Sequence, residues 1–67
     1  MTNALEPYDV KKARAALGLT QRGLAAILRM GHNGERQVRR WEDGDVPVSG
    51  PASVAIEALL SGWRPRS

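Results

Sequence analysis

The sequence predicts an all-α domain, a compact bundle of four or five short helices, on three observations. Apolar residues recur at three- and four-residue spacing in separate stretches. Gly, Asn and Pro fall between those stretches, and no segment alternates apolar and polar residues long enough to form a strand. A chain of 67 residues is read as a single domain, 1–67, with a helical core at about 8–61 and a tail at 62–67, because a chain this short buries roughly 60% of its unfolded surface and cannot divide that core.

Each element has its own justification. The first helix is expected from Tyr8 to Leu17, after Pro7, with Val10, Ala13 and Leu17 on one face and Lys11, Lys12 and Ala15 turned to water. Gly18 ends it. Thr20 can cap a second helix, Gln21 to Arg29, whose buried stripe is Leu24, Ile27 and Leu28. Gly23 weakens that helix by up to ~1 kcal/mol relative to Ala, which suggests a close helix approach there. Gly31-His32-Asn33-Gly34 reads as a turn, since these residues tolerate positive φ. A third helix, Glu35 to Asp43, places Val38, Trp41 and Glu42 on one side and crowds Arg36, Gln37, Arg39 and Arg40 around the rest, before Gly44 closes it. Val46-Pro47-Val48 is an extended connection. Ser49 is the expected cap of a fourth helix that starts near Pro51 and reaches Ser61, and Gly62 and Pro65 prevent its continuation.

Composition narrows the functional classes. Hydrophobic residues make up 42% of the chain and charged ones 25%, which fits a globular domain. The chain has no cysteine, so neither a disulfide framework nor thiolate metal ligands are available, and a cytoplasmic location is expected. The longest apolar run, Leu24 to Leu28, is five residues against the ~20 a bilayer requires, so no membrane partner is expected. A lone histidine, His32, cannot form a catalytic pair, and no Gly-rich phosphate loop is present. Ser49, Ser53 and Ser61 read as a cap and helix-surface residues. The expectation is therefore no enzyme, no metal and no cofactor. Net charge is +3, but Thr20 to Trp41 holds five arginines and one acid, Glu35, so that this stretch alone carries +4. Positive charge concentrated in this way points to a phosphate polymer.

Two short helices joined by a glycine-containing turn, the second rich in arginine, describe a helix-turn-helix. At 100° per residue, Arg36 and Arg40 are separated by about 40° and lie roughly opposite Val38 and Trp41. An exposed guanidinium can pair with guanine O6 and N7, and the major groove admits a whole helix. The ordered set Leu19-Thr20-Gln21, Leu24-Ala25, Leu28 and Val38-Arg39-Arg40-Trp41-Glu42-Asp43-Gly44 closely resembles the Xre/Cro-type, lambda-repressor-like helix-turn-helix proteins, over Val10 to Leu60. The resemblance implies double-stranded DNA as partner and base contacts from Glu35, Arg36 and Arg40, with Gln37 and Arg39 flanking that face. It also implies a phosphate contact from Gln21 and a structural ion pair between Arg14 and Glu42. Arg22, Arg29 and Arg39, with His32 and Asn33 in the turn, are further phosphate candidates. Glu35 can accept from cytosine N4 or simply favour the helix N-terminus; Arg22 and Arg29 are read equally well as solvated side chains.

Two features depart from that family's pattern. Nine residues separate Leu28 from Val38, longer than usual by roughly one helical turn. They lengthen either the loop, as Gly31 and Gly34 favour, or the start of the recognition helix. Asp43 and Asp45 follow that helix where relatives carry basic residues, so contacts there would fall to backbone N–H groups.

On the fourth helix, Val54, Ala55, Ala58 and Leu59 are expected to face the core, leaving Ser53 and Glu57 as a polar strip. Ile56 and Leu60 project about 100° beyond that core face. An arc this wide suggests a second partner, so Ile56, Leu60 and Trp63 are the expected homodimer interface; packing of the tail on its own domain is the alternative. A two-fold dimer would set its recognition helices ~34–36 Å apart and read an inverted repeat. The expected function is a sequence-specific transcriptional regulator, a small repressor or autoregulator with no small-molecule ligand. The alternative is an antitoxin-like module that binds a regulatory protein partner through helix four and Trp63, with DNA binding secondary.

Overall fold

The computed structural model describes residues 6–66, apart from the side chains of residues 7 and 8; residues 1–5 and 67, which the sequence reading includes in the domain, lie outside the described residues. The described residues fold into four helices: α1 (Pro7–Leu17), α2 (Gln21–Ile27), α3 (Gly34–Asp43) and α4 (Gly50–Leu60). The radius of gyration, 10.8 Å, is what a packed chain of this length should have, about 11 Å. Among the described residues there is no strand, and no helix is long and apolar enough to cross a membrane.

The helix starts follow from local hydrogen bonding. Thr20 Oγ1 accepts from the Gly23 N–H at 2.9 Å, and Ser49 Oγ accepts from the Ala52 N–H at 3.2 Å, so both satisfy N–H groups that the helix itself leaves open. At α1, the Asp9 carboxylate accepts the Glu6 N–H at 3.2 Å. All four helices end in one motif. At each corner one N–H donates to the carbonyl three residues back and the next N–H to the carbonyl five residues back: Gly18 and Leu19, Arg29 and Met30, Gly44 and Asp45, Gly62 and Trp63. Three of these corners carry glycine at φ 70°, 81° and 101°; the fourth carries Arg29 at φ 57°. This corner ends α2 at Ile27, two residues before the expected Arg29.

The core is Val10 and Ala13 of α1, Leu24 and Ala25 of α2, Val38 and Trp41 of α3, Val48 of the connection, and Ile56 and Leu59 of α4. The most extensive helix–helix contact is between α2 and α3. Its tightest point is Gly34, the first residue of α3. A Cβ built there would stand 2.7 Å from Met30 Cβ and 2.8 Å from Ala25 Cβ, below the separation that real atoms allow, so only glycine lets α3 start against α2. The close approach expected at Gly23 is not between helices: a Cβ there would meet Thr20 and Leu19, which precede its own helix. Gly34 takes that role. The extra residues between Leu28 and Val38 lie in the turn, because α3 begins at Gly34 and the Gly34 N–H closes back on the Gly31 carbonyl at 3.0 Å.

α4 is rotated from its expected phase by roughly a third of a turn at 100° per residue. Its buried side chains are Ser53, Ile56 and Leu59, whereas Val54 is 62% exposed. Ile56 is fully buried, which corrects its assignment to a dimer interface, and Ser53 is no polar strip. The helix is apolar nearly all round, so packing selects the face. The Ser53 side lets α4 sit close while Ile56 and Leu59 fill the space beneath.

Candidate nucleic-acid interface

Val38 is fully buried and Trp41 is 3% exposed, which fixes the roll of α3. Arg36, Arg39 and Arg40 then stand in solvent, and Glu35 and Gln37 are half-buried at its flanks. The indole Nε1 of Trp41 is buried without a hydrogen-bond partner among the described residues, so Trp41 anchors the helix through ring area alone. The three arginines thus share one helix whose rear is packed, spaced to present planar guanidinium groups to a convex or grooved polyanion.

A second network holds α3 against α1 and α2. Arg14 Nε lies 2.6 Å from Glu42 Oε2, and Arg14 Nη2 donates to Glu42 Oε1 at 3.0 Å. Arg14 Nη1 also donates to the Leu19 carbonyl at 3.2 Å, and Gln21 Nε2 donates to Glu42 Oε1 at 3.1 Å. Burial alone would raise the Glu42 carboxyl, whose side chain is 2% exposed, but the hydrogen bonds from Arg14 and Gln21 and the charges of Arg14 and Lys11 outweigh it and hold the group below its ordinary value. The Arg14 guanidinium is raised, chiefly by its hydrogen bond to Glu42. One amide hydrogen of Gln21 is therefore committed inside the protein, and its carbonyl and second hydrogen remain for an outside contact.

At the other end of α3, Arg22 Nε on α2 approaches Glu35 Oε1 at 3.6 Å. Arg22, Glu35, Gly31 and His32 surround a shallow cavity of about 260 Å³. Arg22 is exposed and the Glu35 side chain keeps 45% of its surface in water, so the pair contributes at most about 1 kcal/mol. Its effect is positional, setting a carboxylate next to Arg36 at the tip of α3. His32 and Asn33 are exposed in the turn, and Asn33 makes no side-chain cap. Arg29, also in that turn, donates from its guanidinium to the Arg66 carbonyl.

The three residues expected to form one interface on α4 separate. Ile56 is core, Leu60 borders a cavity against α1 with Ala13 and Ala16, and Trp63 joins Val54 and Ala58 around a groove of about 450 Å³ on another side. The tail folds back on its own domain: the Trp63 N–H reaches the Ala58 carbonyl at 3.0 Å and Arg64 Nη1 the Leu59 carbonyl at 2.9 Å. Sequence reasoning missed three contributors, Gly34, the Gln21 bond to Glu42, and the left-handed Arg29. A small residue facing Gly34, Ala25, was the only available signal for the first; local pattern carries none for the other two.

No model of a known protein family matches the chain, and no solved structure matches it. Among curated proteins, the chain is similar to the type II methyltransferase M1.ScrFI of Lactococcus lactis subsp. cremoris, 39% identical over 51 residues, which are 76% of this chain and 12% of that protein. The chain thus spans a small fraction of that relative's length.

Proposed function

We propose that this chain is a sequence-specific recognition module for double-stranded DNA, of the Xre/Cro helix-turn-helix kind, that regulates transcription by occupying its site. The observation that carries this reading is the division of α3: Val38 and Trp41 buried behind, Arg36, Arg39 and Arg40 exposed in front. In this reading Arg36 and Arg40 enter the major groove and pair with guanine edges, with Glu35 and Gln37 beside them. Gln21, Arg22, Arg39, His32 and Asn33 meet the backbone, which sets register and supplies salt-sensitive affinity. The similar stretch is 12% of a relative named as a type II methyltransferase. The role assigned to this segment is recognition rather than methyl transfer.

Pairing of two copies belongs to the same proposal, because one small module offers few base contacts. Its surface is the Val54, Ala58 and Trp63 groove, since Ile56 is spent in the core. Selection from a pool of random duplexes by the purified protein tests the whole reading. A recurrent site arranged as an inverted repeat is expected. Recovery of no preferred sequence would refute it.

A further inference from the structure

We propose that Arg29 and Arg66 form a phosphate clamp through which the C-terminal tail adds a DNA-backbone contact beside the recognition helix; this rests on the DNA-binding reading above. Two independent features meet here. Arg29 is the only non-glycine residue with positive φ among the described residues, and it occupies the helix-ending corner that the other three helices give to glycine. A side chain in that backbone conformation costs stability, and the one placed at this corner reaches a contact that glycine could not make. The second feature is where the side chain goes. Its guanidinium holds the Arg66 carbonyl, and the tail lies over Ile27 and Ala55 with Pro65 half-buried in the same cavity of about 380 Å³.

The two tail arginines have different fates. Arg64 donates to the carbonyls of Leu59 and Trp63 and closes the end of α4. The Arg66 side chain is exposed, with no acidic side chain lining the cavity it shares with Arg29. Arg29 and Arg66 line that cavity with no carboxylate beside them, and an anion entering it would receive charge-assisted hydrogen bonds from their guanidinium groups. Arg29 sits in the turn that leads directly into α3, so the anion this site would meet is a phosphodiester of the duplex whose groove receives Arg36.

Titrating the selected duplex with the full chain, across salt concentrations, tests this with Arg29→Gly, Arg66→Ala and the double variant. Each single variant should flatten the dependence of log affinity on log salt by about 0.9, one phosphate's worth, with base preference unchanged. The double variant should lose no more than either single, because both act on one phosphate. Arg29→Gly should melt no lower than the parent, since its corner favours glycine. A parent-like salt slope in Arg66→Ala, or a double variant that loses twice as much, overturns the clamp while leaving DNA recognition standing. Failure of the parent protein to bind any duplex overturns both.

Discussion

α3 and α4 are nearly equal in length and both cross the core, yet they present opposite problems to the chain. α3 carries two large apolar side chains, Val38 and Trp41, among charged ones, so only one roll buries them and every arginine is forced outward. α4 carries apolar residues on nearly every side, so several rolls bury a comparable area and the fit against α1 chooses among them. A helix that must display a surface is specified by contrast; a helix that must fill space is specified by shape.

Substitutions can break or sharpen that contrast. The largest effect is expected at Ile56→Ala, which should cost about 2–5 kcal/mol in denaturant unfolding, as for other fully buried branched residues. Unfolding at parental denaturant concentration would mean that α4 packs on another face. Gly34→Ala should cost about 1–3 kcal/mol, because the new methyl collides with Ala25 and Met30 on the rigid α2 side. A neutral result would show that α3 can step away from α2.

Glu42→Gln should also cost about 1–3 kcal/mol, less than the rupture of a fully buried pair because Arg14 keeps some water. Its pH signature is specific. The carboxyl is held below its ordinary value of 4.5 in the folded protein, so its contribution is complete above that value and drains as pH falls through the lower, folded one. Between about pH 5 and pH 3 the parent should therefore lose more stability than Glu42→Gln, which thermal melts across that range would show; parallel losses would place the acid sensitivity elsewhere. The smallest effect belongs to Leu60→Ala, 48% exposed in the parent, where a change under about 1 kcal/mol is expected and a larger one would give Leu60 a packing role like that of Ile56.

The same contrast explains what the sequence made legible. The helices, their order, the Thr20 and Ser49 caps and the packed rear of α3 were readable, because each rests on a local pattern or on amphipathic spacing. The face of α4 was not, since an evenly apolar helix has no phase to read and Ser53 looks like a surface residue until Ile56 and Leu59 are seen beside it. Gly34 was readable as a breaker but not as a contact, because its contacts, Met30 across the turn and Ala25 nine residues earlier on α2, are made only in the folded chain. The corner at Arg29 has no local signature: it becomes visible only when the hydrogen bonds of Arg29 and Met30 are compared with those following the other three helices.

DNA recognition by α3 requires its front to be a reading surface and not merely a solvated one. Its most direct measurement is the affinity of Arg36→Ala and Arg40→Ala for the selected duplex and for a scrambled duplex, at one fixed salt concentration. Each variant should lose about 1–3 kcal/mol on the selected site and far less on the scrambled one, with its melting temperature unchanged. Equal losses on both duplexes, or none on either, would contradict base recognition by this helix.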